Sequence, residues 1–290
     1  MAMKPRTHAG TEVGSVQLRV SDMARSEAFY TEVLGLRVLN RYHGLTRLTV
    51  DGIHPLIVLE EIKDAVQVRP RSTSGLYHFA LLVPTRSDLG LVLRQLAECR
   101  VQLGSADHDV SEALYLSDPD HNGIEVYWDR PMEQWTQLAG GQIYMSADAL
   151  DAHGLLREAE GREWNGMPAG TRMGHVHLHV RNLAEAERFY CGLLGFSVKL
   201  RYGPSALFVA AGGYHHHLGL NTWAGEGASP TPEMAPGLAS YTIVNPDVRH
   251  IENLLLWLEA AGIAVETKGD GWYFRDPSGI GVRLTTCPVL

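Results

Sequence analysis

One stretch of the chain, residues 104–130, holds an imidazole, a phenol and a carboxylate at spacings that suit a functional site. His108 lies in a polar loop, Tyr115 lies in a short apolar strand, and Glu125 lies in a second strand after an Asp-Pro turn. Strand alternation places Glu125 on one face and its apolar neighbours on the other. Because a buried, unpaired carboxylate is costly, either that face is solvated or Glu125 meets a cation.

Histidines supply the other candidate groups, and six of the 14 fall in two short stretches. His175, His177 and His179 share one face of a predicted strand by period 2, and a second run covers 215–217. A further histidine, His78, lies in the apolar strand YHFALLV. Neutral imidazole can ligate a metal or accept a proton, whereas an isolated histidine in an apolar strand is more often a core residue bonded to a backbone carbonyl. Spacing alone leaves both interpretations open.

The elements that position these residues follow from an internal repeat. Residues 14–38 align with 174–198, because each segment has a period-2 strand, a helix containing Phe-Tyr, a Leu-Gly helix end and a following valine. Two weaker copies, 75–130 and 237–287, each carry an Asp-Pro turn before their last strand. The chain is therefore predicted to contain four βαβββ modules.

A βαβββ module covers one face of its curled sheet with a helix and leaves the other face bare, so two modules side by side form a cup. The sequence thus predicts an α+β protein with four modules paired into two cups. The predicted divisions are an N-terminal domain, 1–130, with modules 14–62 and 75–130, a linker, 131–172, and a C-terminal domain, 173–290, with modules 174–223 and 237–287. Within the linker, LDAHGLLREAE predicts a short helix.

Composition is that of an ordinary globular protein and argues against several partners. A net charge of −8 disfavours a general affinity for nucleic acid or anionic membrane. No apolar run approaches ~20 residues and the first residues lack an apolar signal region, so we expect neither a membrane span nor secretion. The three cysteines, Cys99, Cys191 and Cys287, are widely spaced without a CxxC pattern, which suits a reducing cytoplasm.

The segment from His108 to Glu125 resembles the fingerprint of the extradiol ring-cleaving dioxygenases, a branch of the vicinal oxygen chelate superfamily. That fingerprint is His, five to seven residues, an apolar residue, Tyr, two residues, an acidic or small residue, Pro and a later Glu. Here it reads His108, DVSEA, Leu114, Tyr115, LS, Asp118, Pro119, DHNGI, Glu125. Ala106 and His121 depart from the usual residues. The repeat resembles the four-module catechol 2,3-dioxygenases over most of 14–130 and 174–287.

The resemblance implies a metal held by the first strands of two modules and the last strand of one. Pairing modules three and four offers His175 with Tyr241 and Arg283, and arginine cannot ligate a metal because it stays cationic. Pairing modules one and two is one ligand short, because Ser15 stands at the first position. Neither of these pairings makes a complete site.

Pairing module two with module three brings together His78, Glu125 and His175. That set of two histidines and one carboxylate leaves three positions open on a non-haem Fe(II). We therefore expect the inner modules to pair with each other, although pairing of one with two remains the alternative. The outer modules would then form a degenerate cup containing Ser15, Tyr241 and Arg283.

The resemblance also implies roles for residues that do not bind the metal. His216 corresponds to an acid–base group near dioxygen, and His215 or His217 would take its place if the strand register shifted by one. Tyr115 and His108 correspond to groups that contact the substrate. The alternative for Tyr115 is an aromatic residue packed in the core.

The implied activity is that of a dioxygenase that opens a small catechol-type aromatic diol with O₂. Fe(II) is the implied cofactor, with Mn(II) as an alternative that this ligand set does not exclude. Homo-oligomers are common among such enzymes. Two other functions stay open: a glyoxalase-like isomerase or antibiotic-modifying thiol transferase of the same superfamily, and a non-catalytic small-molecule binding protein of the bleomycin-resistance type.

Overall fold

The computed structural model describes residues 6–287, so the domain ends predicted at 1–5 and 288–290 lie outside it. The four βαβββ modules are confirmed. Module one consists of β1 (Glu12–Val20), α1 (Met23–Ala28), β2 (Arg37–Tyr42), β3 (Leu45–Thr49) and β4 (Pro55–Glu61). Module two consists of β5 (Gly75–Leu82), α2 (Arg86–Glu98), β6 (Gly104–Asp107), β7 (Ser111–Ser117) and β8 (Gly123–Asp129).

A helix, α3 (Ala152–Glu158), lies in the segment between modules two and three. The second half of the chain then repeats the order of elements in the first half. Module three consists of β9 (Arg172–His179), α4 (Leu183–Glu187), β10 (Ser197–Tyr202), β11 (Ala206–Ala210) and β12 (Leu218–Asn221). Module four consists of β13 (Gly237–Val244), α5 (Val248–Ala260), β14 (Glu266–Lys268), β15 (Gly271–Arg275) and β16 (Gly281–Thr285).

Strand pairing joins the modules into two curled, eight-stranded sheets. The outer sheet has the order β14-β15-β16-β13-β1-β4-β3-β2, and the inner sheet has the order β10-β11-β12-β9-β5-β8-β7-β6. Modules four and one share the outer sheet through the antiparallel pair β13–β1, and modules three and two share the inner sheet through β9–β5. The inner modules therefore pair with each other, and each sheet takes strands from both halves of the sequence.

A repeated hydrogen bond ties the helical segment of each odd-numbered module to the Asp-Pro turn of the module that follows. Tyr30 donates to Asp118 Oδ2 at 2.8 Å, and Tyr190 donates to Asp276 Oδ2 at 2.9 Å. All four residues are buried. Both carboxylates also accept backbone N–H groups within their own turns. The tyrosine of each Phe-Tyr pair is therefore a structural tie between modules.

The predicted helix in the segment between the modules is confirmed as α3, which packs against α2. At their contact, a Cβ on Gly90 would lie 2.1 Å from the Leu155 carbonyl oxygen, so the close approach requires glycine. The two longest helices, α2 and α5, have 13 residues each. Within residues 6–287, no helix combines the length and the apolar composition needed to cross a membrane.

Burial raises the pKa of Asp276 to about 6, although its hydrogen bonds oppose the shift. A carboxyl in the unfolded chain titrates near 4, so the folded state binds more protons between these pH values. Stability from this group is therefore present below about pH 4 and lost as the pH rises through 6.

The variant Asp276→Asn tests this pH dependence, because asparagine cannot ionise. Its free energy of unfolding, relative to that of wild type, should rise by about 2 kcal/mol from pH 4.5 to pH 7. Urea unfolding at both pH values measures this gain.

Glu259→Gln on the exposed side of α5 is the matched control, because water solvates that carboxyl in both states. Its free energy of unfolding relative to wild type should not change between the two pH values. A difference between wild type and Asp276→Asn that is the same at pH 4.5 and pH 7 would contradict the assignment of a buried, titrating carboxyl.

Candidate metal centre

The concave face of the inner sheet collects polar side chains from neighbouring strands. His175 of β9 pairs with Ala80 of β5, and Ala80 pairs with Glu125 of β8. His78 lies two residues before Ala80 and so points to the same side. The apolar residues that lie next to these three in sequence face the hydrophobic core. Register and alternation thus bring two histidines and a carboxylate to one face.

These three side chains converge on one point. Glu125 Oε2 lies 2.9 Å from His78 Nε2 and 3.0 Å from His175 Nε2. The ligand atoms of the three residues all lie within 4.8 Å of one another, and all three residues are buried. No second cluster of this kind occurs within residues 6–287. The structure therefore brings together the set that the sequence indicated.

The geometry of this cluster fits a bound divalent metal. His78 Nε2 is buried without a hydrogen-bond partner in the described chain, because its approach to Glu125 lacks hydrogen-bond geometry. Two ligand atoms that lie about 2.1 Å from a metal and at right angles to each other are about 3 Å apart, which matches both carboxylate–imidazole distances. Two imidazoles and one carboxylate also leave further positions open on a six-coordinate metal.

Electrostatics keep Glu125 and His78 in forms that bind metals. Burial raises the pKa of Glu125, but the charges of His175 and His78 and the hydrogen bond from His175 outweigh it and hold that pKa well below its usual range. Burial lowers the pKa of His78, against the opposing effect of Glu125. At neutral pH the site therefore holds a carboxylate beside neutral imidazole, and these are the protonation states required of metal ligands.

The other two histidines of β9 are engaged by Asn221 of β12. Its amide Nδ2 donates to His177 Nε2 at 2.9 Å, and its Oδ1 accepts from His179 Nδ1 at 2.6 Å. The His177 ring also lies over Gly219, where a Cβ would be 2.7 Å from the ring. Of the three histidines that share this strand face, His175 is the one that belongs to the cluster.

The cluster lines a cavity of about 300 Å³. Its walls are largely apolar and aromatic, and they include Leu200, Phe208 and Trp223 from module three. Residues 145–147, from the segment expected to act as a linker, form part of the wall. Their position is held by backbone hydrogen bonds, including Ser146 N–H to the His108 carbonyl at 3.2 Å.

Among the three consecutive histidines, His216 is the one that lines the cavity. Its ring centroid lies 4.1 Å from that of His175, and its Nδ1 lies 2.7 Å from His215 Nδ1. His215 turns toward Asp129 instead, and His217 accepts a backbone N–H through its Nδ1. Burial and the neighbouring histidines hold the pKa of His216 well below its usual value, so its imidazole is neutral.

Tyr115 and His108 form a hydrogen-bonded pair on the cavity wall. His108 Nδ1 donates to the Ser146 carbonyl at 2.6 Å, which leaves His108 Nε2 to accept from the Tyr115 hydroxyl at 2.6 Å. Burial, with the charge of Glu125, raises the pKa of Tyr115 well above its usual value. The phenol therefore stays protonated, and its oxygen retains a lone pair that can accept a hydrogen bond from a ligand.

The corresponding positions of the outer sheet hold no metal-ligating cluster within residues 6–287. Ser15 Oγ hydrogen-bonds Thr242 Oγ1 at 3.0 Å. Arg283, at the position that Glu125 holds in the inner sheet, pairs with Asp270 at 2.5 Å.

The prediction that Tyr241 faces the outer cup is wrong. Tyr241 is buried on the opposite face of the sheet and donates to Tyr190 at 3.0 Å. Aligning the Gly-Leu that begins β13 with the one that begins β5 makes Ser240 the counterpart of His78, and Tyr241 the counterpart of Phe79. Both strands have an irregular register near their third residue, and a slip of one residue turns a side chain to the other face.

Comparison with known proteins places this arrangement in a family. The model of the Glyoxalase/Bleomycin resistance protein/Dioxygenase superfamily matches residues 12–126 and 172–284. The chain belongs to this superfamily. It is 45% identical over 271 residues to the catechol-2,3-dioxygenase of Bacillus subtilis (strain 168), covering 93% of this chain and 95% of that one.

Solved structures of other proteins have the same fold. A candidate dioxygenase from Bacillus subtilis subsp. subtilis str. 168 superposes with a TM-score of 0.66 and 14% identity, covering 98% of this chain and 87% of that one. Glyoxalase I from Zea mays superposes with a TM-score of 0.54 and 17% identity, covering 95% of this chain and 92% of that one. At these identities, the likeness concerns the fold alone.

Two features of the site in this superfamily member were missed from the sequence. Asp129 shares a face of β8 with Glu125 and Tyr127, and the alternation in EVYWD was a signal that could have shown it. The wall formed by residues 145–147 had no comparable signal, because that segment has neither a period nor a motif. Its place depends on backbone pairing with module two.

Glu125→Gln tests the metal centre. Glutamine keeps the shape of the side chain but removes the anionic donor, so we expect the variant to fold cooperatively and to lose bound metal. The loss of affinity should exceed the roughly 10–100-fold that removal of an outer-shell partner costs. Metal content after anaerobic loading with Fe(II) or Mn(II) and desalting measures the effect.

Glu60→Gln is the matched control, because Glu60 lies in the outer sheet and accepts from Gln17 at 2.8 Å without a nearby histidine cluster. This variant should retain as much metal as wild type. Full metal retention by Glu125→Gln would show that the metal site has been assigned to the wrong residues.

Proposed function

We propose that this protein is a metal-dependent extradiol dioxygenase that opens a catechol-type aromatic diol with O₂. The observation that carries the proposal is the convergence of His78, Glu125 and His175 beside His216 and Tyr115 on one cavity. The 45% identity with a catechol-2,3-dioxygenase over nearly the whole chain supports it. Fe(II) is the proposed metal and Mn(II) the alternative, because the donor set suits both.

The proposed ligands are Nε2 of the two histidines and the carboxylate of Glu125. The metal, when bound, would supply a centre at which both the diol and O₂ can be activated. The contribution of the protein is a ligand set on three adjacent strands, whose spacing is set by the β5–β8 and β5–β9 ladders. Ligands on rigid strands are placed more precisely than ligands on loops.

The cavity walls select an aromatic substrate and limit its contact with water. Phe208 and Trp223 present aromatic faces or edges to the cavity, and Leu200 adds an aliphatic wall. A planar ring can pack against these groups while its two hydroxyls point toward the polar cluster. Excluding water strengthens every electrostatic interaction that the polar residues make with the bound ring.

Tyr115 and His108 are proposed to orient the substrate hydroxyls. The hydrogen of the phenol is already donated to His108 Nε2 at 2.6 Å, so the Tyr115 oxygen is available as an acceptor. A substrate hydroxyl that donates to this oxygen would be held beside Glu125, which pairs with Tyr115 in the β7–β8 ladder. This contact would fix which oxygen of the diol lies next to the cluster.

His216 is proposed as the acid–base group. Its Nδ1 contacts His215, whereas its Nε2 has no hydrogen-bond partner among the described residues. A neutral imidazole on the cavity wall can accept a proton from the bound diol at Nε2 and return it to the product.

We propose that the protein is cytoplasmic, because its pattern of cysteines suits a reducing compartment. That it forms homo-oligomers stays a prediction.

The function is tested by loading the purified protein with Fe(II) under anaerobic conditions and then adding catechol in air. We expect O₂ uptake, together with a yellow ring-opened product in equal amount. Parallel loading with Mn(II) separates the two candidate metals. Metal-loaded protein that consumes no O₂ with catechol or with substituted catechols would contradict the proposed function.

His216→Phe tests the acid–base role. Phenylalanine fills the space of the imidazole but cannot exchange a proton, so kcat should fall roughly 100-fold or more while metal content stays at the wild-type level. O₂ uptake under saturating catechol measures kcat, and metal analysis of the same sample provides the control. An unchanged kcat would remove His216 from the mechanism.

A further inference from the structure

A hydrogen-bonded chain leads away from the cavity to a partly exposed carboxylate at the end of β8. His216 Nδ1 lies 2.7 Å from His215 Nδ1, and His215 Nε2 lies 2.8 Å from Asp129 Oδ1. The His215 side chain is 1% exposed and that of Asp129 is 17% exposed. Neither His215 nor Asp129 lines the cavity, so direct contact with metal or substrate does not account for them.

Donor and acceptor rules set the pattern of hydrogens along this chain. A carboxylate only accepts, so His215 Nε2 carries the hydrogen that is donated to Asp129. When the His215 ring is neutral, its lone pair is at Nδ1, and His216 Nδ1 is the donor between the two rings. Neutral His216 therefore keeps its lone pair on Nε2, the nitrogen that the described residues leave without a partner.

Asp129 is held in place by a second hydrogen bond. The Tyr214 hydroxyl donates to Asp129 Oδ2 at 2.8 Å, and the Tyr127 hydroxyl lies 2.6 Å from that of Tyr214. Asp129, Tyr127 and Glu125 alternate along one face of β8. The strand that supplies Glu125 therefore also supplies Asp129, the residue at the end of the histidine chain.

We propose that Asp129 is a positioning residue for the reaction, because through His215 it holds His216 in the tautomer that presents the Nε2 lone pair to the cavity. The inference rests on the proposed acid–base role of His216. Without the carboxylate, His215 is free to place its hydrogen on Nδ1, and that hydrogen would then be donated to His216 Nδ1. His216 would carry its own hydrogen on Nε2 and could not accept a proton there.

The test uses a double-mutant cycle of Asp129→Leu and His216→Phe in the Fe(II)-loaded protein. Leucine fills the space but accepts no hydrogen bond, so kcat for catechol should fall roughly 10- to 100-fold while KM and metal content stay within about twofold. In the His216→Phe background, the same Asp129→Leu change should lower kcat by less than about twofold, because the group that it positions is already absent. Asp129→Asn retains an acceptor oxygen for His215 and should recover most of the lost kcat.

A purely structural role for Asp129 would give a different pattern. Asp129→Leu would then lower kcat by the same factor with and without His216, or would raise KM and lower metal content as well. Either of these patterns, or an unchanged kcat in Asp129→Leu, would overturn the proposal. A protein in which Asp129→Asn is as impaired as Asp129→Leu would also contradict a positioning role that works through an acceptor oxygen.

A second readout does not depend on activity. NMR of the metal-free protein labelled with ¹⁵N-histidine reports which ring nitrogen carries the hydrogen, and the His216→Phe and His215→Asn variants assign the signals. His216 should carry its hydrogen on Nδ1 in wild type and in Asp129→Asn, whereas in Asp129→Leu it should carry it on Nε2 or exchange between the two tautomers. The same His216 tautomer in all three proteins would overturn the proposal even if the enzyme were active. Failure of wild type to consume O₂ would instead contradict the proposed function and leave this measurement interpretable.

Discussion

The antiparallel ladder between β5 and β9 is the interaction on which the rest of the site depends. It joins strands that lie almost a hundred residues apart in sequence and places His78 and His175 on one face. The parallel ladder between β5 and β8 then adds Glu125 at the same level. A slip of one residue in either ladder would turn a ligand away from the cavity into the apolar core.

The two sheets show how one architecture can carry a polar cluster in one copy and not in the other. Both sheets join two modules through a central antiparallel strand pair, and in each half of the chain a buried Tyr-to-Asp hydrogen bond ties a module of one sheet to a module of the other. In the outer sheet, the equivalent positions hold Ser15, which hydrogen-bonds Thr242, and Arg283, which pairs with Asp270 through Nη2 while its Nε and Nη1 stay buried without a partner in the described chain. In the inner sheet, His78 Nε2 also remains without a hydrogen-bond partner in the described chain, but it lies in a cluster with Glu125 and His175 that has no counterpart among the described residues of the outer sheet.

The inner cup buries several histidines, and the structure gives most of them a defined partner. Asn221 orients His177 and His179, the Ser146 carbonyl orients His108, and Asp129 orients His215. Each contact decides which ring nitrogen donates and which accepts. A buried polar group without a partner is costly, so these contacts also reduce the loss of stability that comes from burying polar side chains in the cup.

The sequence by itself determined the repeat and the α+β class, and the segment from His108 to Glu125 carries the resemblance that implies the ligand set. These are local properties, because period-2 alternation, glycine helix ends and the spacing from His108 to Glu125 can all be read along one strand or turn. The inner pairing of modules could also be inferred, since it is the arrangement that unites His78, Glu125 and His175. Choosing His216 among three adjacent histidines followed from the resemblance, and the cavity wall agrees with that choice.

Only the tertiary structure decided the features that depend on exact register or on contacts between distant segments. Tyr241 pairs with Val16 of β1 and lies with it in the core, whereas the preceding residue, Ser240, pairs with Gln17. The segment around Ser146 became a cavity wall through backbone pairing with module two. The link from Asp129 to His216 joins the end of β8 to a turn about 86 residues later. Such contacts are set by three-dimensional packing, which local sequence patterns do not encode.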